Sequence, residues 1–381
     1  MTVSPHAPRT RIPLARVNIT EREIALVTEV LRSDALAMGP FTAAFEARLA
    51  ELAGRQFAVA CSSGTAALHL AVRGLEIGAG DEVITTPFSF VASANCLLFE
   101  SAVPRFVDIE EETLGMDPEL VAAAAGDRMR GLLPVHVFGN ACRIQELESM
   151  AAERGWVLIE DSCEALGGSV NGRSLGSFGD ASAFAFYPNK QITTGEGGVV
   201  LTDDAELAER MRSMRNQGRD EDGTWLRHVR LGYNYRLDEL SAALGVGQLE
   251  RLAELRAGRD RVVEDYAAAF AGRPWARLPQ AAAGAGVDWF VYVIRLDPGI
   301  DRDRMIGQLE ERGVASRPYF SPIHLQPLYT STFGYRPGSF PITERVAAST
   351  LALPFSSLMD RAIVDQVVAA LDDAVAEQGR A

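Results

Sequence analysis

The chain is predicted to fold as an α/β protein: a large domain built on a mostly parallel, doubly wound sheet, followed by a smaller C-terminal α+β domain. Three observations carry this. Short β-rich runs alternate with helical patterns through the first two thirds of the sequence, the order that gives parallel strands with helices on the sheet faces. Past about residue 250 the alternation gives way to a long helical reading, one strand and two further helices. With 381 residues, 47% hydrophobic and 23% charged, the chain has the balance of a globular protein with a sizeable core. The boundary is placed near residue 250, giving 1–250, with an N-terminal arm, as the large domain and 251–381 as the small one.

Strands are expected at 57–60, 82–86, 105–108, 132–137 and 156–160. The first, FAVAC, runs into SSGTAALHLAV, a helix whose opening turn holds Ser62, Ser63, Gly64 and Thr65. Free N–H groups and the positive end of the helix dipole favour an anion there, glycine allows close approach and hydroxyls add donors. The same residues would equally serve as a plain cap. The strand WVLIED ends at Asp161, and ligands of such sheets bind outside the carboxyl ends of the strands. A buried carboxylate is costly unless a cation or strong donor meets it, so Asp161 either meets one or caps the next segment. The run 182–203, SAFAFYPNKQITTGEGGVVLTD, reads as strand, lysine, glycine-rich turn and strand. A helix follows over 237–259, then a strand at 290–296 and helices at 305–312 and 363–376. An Ala/Gly turn is read at 281–286, and Pro318, Pro322 and Pro327 make RPYFSPIHLQPLY a loop.

Lys190 is the only lysine, the other 36 of the 37 basic side chains being arginine. A guanidinium stays protonated and cannot attack a carbonyl, whereas a partly buried lysine can lose its proton and form an imine. A reactive lysine, a phosphate cradle and an aspartate able to hold a protonated ring nitrogen are together what pyridoxal 5'-phosphate requires.

A net charge of −14 argues against nucleic-acid and anionic-membrane surfaces, which need clustered Lys and Arg. The N-terminal stretch lacks the apolar core of a signal peptide, and no run approaches the roughly 20 apolar residues that cross a bilayer, so a cytoplasmic protein is expected. Cys61, Cys96, Cys142 and Cys163 are widely spaced without a CxxC pair, and are expected to be reduced and structural, with no metal site.

In their order and spacing, the blocks SGTAAL, DEVITTPFSFVASAN, FVDIEEETLGMDPE, PVHVFGN, IEDSCEALG, YPNKQITTGEGG and LGYNYRLDELSAALG resemble the DegT-type sugar aminotransferases, pyridoxal-phosphate enzymes of fold type I, over about residues 12–370. The resemblance implies that Lys190 bonds covalently to the cofactor and later moves a proton between cofactor and substrate carbon, and that Asp161 pairs with the pyridine nitrogen. It implies further that Gly64 and Thr65 hold the phosphate, that Phe90 stacks on the ring, and that Asn234 reaches the phosphate of the neighbouring subunit, at a homodimer interface. Phe88 is the alternative stacking ring, and Asn234 is otherwise a turn residue.

Two departures from the family pattern stand out. Ala185 occupies the position, five before the lysine, where many members carry a phosphate-binding serine. Glu164 stands where glutamine or histidine usually packs near the ring, and is expected to tune the site, because it repels Asp161 unless protonated or bonded. Lys190 itself separates the chain from the family's sugar dehydratases, which resemble this pattern but carry histidine there. The reaction implied is a ping-pong transfer of an amino group from L-glutamate to a keto sugar linked to a nucleoside diphosphate, most resembling 4-keto-6-deoxy sugars, to give an amino sugar nucleotide. Arg219, Arg227, Arg230 and Arg317 are candidates for the diphosphate, and Tyr319 and His324 for the sugar. The runner-up is a keto-inositol (cyclitol) aminotransferase using L-glutamine, and the remote alternative a non-catalytic, cofactor-binding regulator.

Overall fold

The computed structural model describes residues 11–220 and 226–379; the first ten residues of the N-terminal stretch discussed above lie outside them. After α1 (Glu21–Leu31) and α2 (Pro40–Ala53), strands and helices alternate: β1 (Phe57–Cys61), α3 (Gly64–Gly74), β2 (Glu82–Thr85), α4 (Ala92–Phe99), β3 (Val103–Phe106), α5 (Pro118–Ala124), β4 (Met129–Leu133), α6 (Ile144–Arg154) and β5 (Val157–Asp161). A small hairpin, β6 (Ser169–Val170) with β7 (Arg173–Ser174), precedes β8 (Ala181–Ala185), β9 (Gly198–Thr202) and α7 (Ala205–Arg215). Seven of these strands form one sheet in the order β1-β9-β8-β5-β4-β2-β3. Only β9 runs against its neighbours; every other contact in the sheet is parallel.

Alternation along the strands feeds two faces. Val59 and Cys61 of β1 pack with Ala183 and Val200 under α3 and α7, while Ala58 and Ala60 pack with Phe184 and Val199 under α2 and a later helix, α8 (Glu239–Glu250). The sheet is thus doubly wound, as expected. α9 (Leu252–Ala269) leads to β10 (Ala276–Arg277), β11 (Ala285–Gly286), β12 (Tyr292–Leu296), α10 (Arg302–Glu311), α11 (Pro327–Phe333), α12 (Pro341–Ser349), β13 (Thr350–Leu353) and α13 (Arg361–Gln378). An antiparallel sheet β10-β12-β13 gathers a separate core that includes Tyr266, Ile294, Leu309, Leu351 and Val367.

Several sequence readings need correction. The third and fourth strands begin and end earlier than 105–108 and 132–137. β3 is an edge strand, where Pro104 is tolerated without its N–H, and β4 stops before Pro134. The helix read over 237–259 is two helices, broken at Arg251, whose φ/ψ of −112°/9° ends α8. The segment read as a loop contains a 3-10 turn, Ile323–Leu325, and α11, because Pro327 occupies the first helical turn, where a missing N–H costs nothing. The 281–286 turn includes β11, which pairs with β6 and joins the hairpin into a third small sheet. Cys61, Cys96 and Cys142 are buried and Cys163 partly so, and none of the four is in a disulfide. Among the described residues, no helix is long and apolar enough to cross a membrane, and no cluster of His, Cys, Asp and Glu is placed to hold a metal.

Candidate active site

The carboxyl ends of β1, β8 and β5 converge on one edge of the sheet. Register sets Cys61 and Ala185 on either side of Gly198, and pairs Asp161 with Ala183. The start of α3, the segment leading to Lys190 and the carboxylate of Asp161 therefore share this edge. Two glycines let the start of α3 settle onto the sheet. A Cβ at Gly64 would stand 2.5 Å from that of Ala185 and 3.2 Å from Cys163 Sγ, and one at Gly198 only 2.3 Å from the Ser63 carbonyl oxygen. Ser63 caps α3, its hydroxyl accepting from the Ala66 N–H at 3.1 Å. Gly64 and Thr65 supply N–H groups of the first turn, which a helix leaves without partners of its own. Ser62 lies before the helix, its N–H donating to the Tyr235 carbonyl at 2.8 Å.

Asp161 is buried, with a donor on each oxygen. Oδ2 accepts from the Ser93 hydroxyl at 2.7 Å and Oδ1 from the Cys163 N–H at 3.1 Å, while Ser93 Oγ is 2.8 Å from Ser89 Oγ. The sequence reading missed both serines. Their signal was the spacing of four, two small hydroxyls entering an otherwise apolar helix. The Cys163 thiol is pushed well above its usual range by burial and by Asp161, so it stays neutral.

Lys190 closes a turn by donating its N–H to the Tyr187 carbonyl. Its side chain is 14% exposed, with Nζ 3.5 Å from Glu164 Oε1 and 4.2 Å above the centre of the Phe290 ring, a partner the sequence did not reveal. Glu164 is buried, and its other oxygen accepts from the Phe138 N–H at 2.8 Å. Burial raises its carboxyl above the usual range and Asp161 adds to the rise, against the opposing pull of Lys190 and the Phe138 N–H. The next residue is fixed from two sides. Gln191 Nε2 donates to the Glu164 carbonyl at 2.6 Å and to the Asp288 carbonyl at 2.8 Å, and its own carbonyl accepts from Arg259 at 2.8 Å.

Phe90 is 60% exposed, whereas Phe88 is fully buried and packs edge-on against Phe138 and Phe320; the free ring is Phe90. Asn234 is exposed, bridged through its backbone to Asn216. Arg219, Arg227 and Arg230 belong to the neighbouring strip that folds back on itself through Arg219 and His228, with Arg227 paired to Asp220 at 3.1 Å. Arg317 is exposed at a backbone bridge to Ala352. Tyr319 is brought to the lysine: Asn189 Nδ2 donates to its hydroxyl at 3.4 Å, and burial, with the charge of Glu164, raises that hydroxyl's pKa. His324 is not brought there. Its side chain is fully buried, bonded to Glu344 at 3.0 Å and packed on Phe340, leaving no face for a ligand.

A cavity of about 1150 Å³ lies to one side, lined by Trp289, Arg143, Arg277 and Arg295 among others, and does not include Lys190. Its arginines are neutralised in place, Arg277 and Arg295 by Glu111 and Arg143 by Glu146. The edge at Lys190 instead presents the donor set of pyridoxal 5'-phosphate: a primary amine, an oriented buried carboxylate for a ring N–H, and a helix start whose glycine admits no side chain.

Residues 17–372 match the model of the DegT/DnrJ/EryC1/StrS aminotransferase family. GDP-perosamine synthase of Caulobacter vibrioides is 36% identical, the likeness covering 96% of this chain and 98% of that protein. Among solved structures, DesV of S. venezuelae is 33% identical with a TM-score of 0.89, covering 95% of this chain and 98% of the other. The PMP-form of the putative sugar aminotransferase Spr1654 from Streptococcus pneumoniae has a TM-score of 0.93 at 27% identity, covering 97% and 99%.

Proposed function

The chain belongs to the DegT/DnrJ/EryC1/StrS aminotransferase family, pyridoxal-phosphate-dependent enzymes, and from that premise we propose that it carries an amino group from L-glutamate to a keto sugar linked to a nucleoside diphosphate. The observation that carries the transfer is the single lysine amine, 14% exposed, set between Glu164 and the Phe290 face. The cofactor supplies the electron sink. Lys190 Nζ is the base that takes a proton from the amino donor's carbon and returns one to the sugar carbon, with Phe290 and burial limiting its contact with water. Asp161, oriented by Ser93 and the Cys163 N–H, would hold the ring N–H, the start of α3 at Gly64 and Thr65 would hold the phosphate, and Phe90 would stack on the ring. Glu164, held by Phe138, sits where it can take up or release a proton beside the lysine.

A sugar nucleotide as acceptor is supported by the likeness to GDP-perosamine synthase, and a 4-keto-6-deoxy sugar is the preferred form. Tyr319 stands nearest to the lysine among the residues proposed for the sugar. Asn234, exposed in the single chain, completes the phosphate site of a second copy, so the working unit is a homodimer in the cytoplasm. A division near residue 250 separates the cofactor-binding unit from the small sheet.

The test is the visible absorption of the purified enzyme. L-Glutamate is expected to bleach the band of the bound pyridoxal form, and a keto-sugar nucleotide to restore it, while Lys190→Ala fails to cycle. A band indifferent to every amino donor sinks the reading. Restoration by a keto-inositol and not by a sugar nucleotide would replace the acceptor.

A further inference from the structure

Tyr233 and Tyr235 lie two residues apart in an extended stretch, so their side chains face one way and Asn234 between them faces the other. The two rings stack, centroids 4.9 Å apart and planes 16° from parallel. Both hydroxyls end on one buried acid–base pair. Tyr233 O–H donates to Glu100 Oε1 at 2.9 Å, His69 Nε2 lies 2.8 Å from the same oxygen, and His69 Nδ1 lies 3.0 Å from the Tyr235 hydroxyl. One arrangement satisfies every atom: Tyr235 O–H donates to Nδ1, and Nε2–H donates to Glu100. Arg73 holds the other Glu100 oxygen at 2.8 Å. The backbone of the stretch is fixed too, with the Tyr235 carbonyl accepting from the Ser62 N–H and its N–H donating to the Arg215 carbonyl. Everything on the inward side is bonded, and Asn234 alone projects outward. None of these bonds touches Lys190 or Asp161.

We propose that Glu100, acting through His69, Tyr233 and Tyr235, is a positioning residue for Asn234, and that it thereby serves the cofactor phosphate of the neighbouring subunit and not that of its own chain. This rests on the reading of Asn234 given above. Loss of one hydrogen bond to a charged group corresponds to roughly a tenfold change in an equilibrium constant.

The experiment is subunit mixing in the holoenzyme, with the cofactor dissociation constant and turnover as readouts. Glu100→Gln, Tyr233→Phe and Asn234→Ala are each expected to bind pyridoxal 5'-phosphate about tenfold more weakly, and Glu100→Gln combined with Asn234→Ala no more weakly than Asn234→Ala alone. Co-assembled with Lys190→Ala chains, each variant is expected to regain normal affinity and turnover at the site that joins its own Lys190 to the Asn234 of the Lys190→Ala chain. If Asn234→Ala is rescued in this way while Glu100→Gln and Tyr233→Phe are not, Glu100 acts within its own chain and the proposal falls, leaving the role of Asn234 intact. If Asn234→Ala is not rescued either, the underlying reading falls with it. Additive losses in the double variant also overturn the proposal. Tyr233→Phe, which removes one oxygen and keeps the ring stack, carries the test should Glu100→Gln fold poorly.

Discussion

Glu164 is one of the two departures from the family pattern noted in the sequence, and its titration has a definite sign. Its native carboxyl holds a proton more tightly than an unfolded carboxyl does, because burial and Asp161 outweigh Lys190 and the Phe138 N–H. Ionising it therefore costs stability, and that cost grows as pH rises from the unfolded value near 4.5 through the higher native one. Glu164→Gln, neutral at every pH, is expected to gain in melting temperature relative to the parent between pH 4 and pH 8 in the cofactor-free protein, and to shift the absorption band and turnover of the holoenzyme. A melting difference that is flat with pH, with an unchanged band, refutes a tuning role. The position was legible as unusual from sequence alone, since a second acid three residues from Asp161 demands a partner. The partners themselves were not: the Phe138 N–H comes from 26 residues away, and the Phe290 ring lies 100 residues beyond the lysine. Ser93 was hidden for a related reason, its role fixed only when α4 turns it toward β5.

Among the elements, α1 shows how a single buried acid can fasten one helix to another. Thr20 and Glu23 form a capping box, and the same Glu23 accepts from Gln248 and Arg251 at 2.7 Å each, where α8 gives way to α9. Burial works against the charge, but the Thr20, Arg251 and Gln248 bonds outweigh it and lower the carboxyl from 4.5 to about 2. The stability this supplies is present above the unfolded value and is lost as pH falls through the range from 4.5 to about 2. Glu23→Gln is expected to unfold in urea with about 3 kcal/mol less free energy at neutral pH, a difference that closes near pH 2. An equal deficit at both pH values refutes the ionic account. This contact also explains why 237–259 misled as one helix: its apolar pattern runs through position 251, and only the arginine's pull toward Glu23, Glu254 and Asn18 marks the break. Strand existence was legible wherever apolar runs met glycine or proline. Strand ends were not, because pairing stops where the neighbour's register stops, as at Thr85 opposite Phe106 and Leu133.

At the scale of the molecule, the lysine turn is held by residues from far along the chain. Arg259 of α9 pairs with the buried Asp288 at 2.9 Å and also donates to the carbonyl of Gln191, which in turn bonds to both Asp288 and Glu164. Arg259→Met removes one member of a buried pair and leaves the other charge uncompensated, expected to cost about 3–5 kcal/mol and to loosen cofactor binding together with stability. Chemical denaturation and cofactor titration check it; full stability in the variant would mean that Asp288 finds another partner. The βα order announced the sheet and its carboxyl edge, and with it the neighbourhood of Asp161, Gly64 and Lys190. The joining of β6 to β11 was invisible, since two residues on each side carry no periodicity. One further property follows from Lys190 standing alone, recessed but still reachable. Apart from its α-amino terminus, the chain offers a single primary amine to an acylating reagent. Mass spectrometry of the peptide that carries Lys190 after brief labelling would therefore read that amine directly: one added group where it is free, none where the cofactor holds it, and a mixed preparation would be resolved into its two populations without any activity assay.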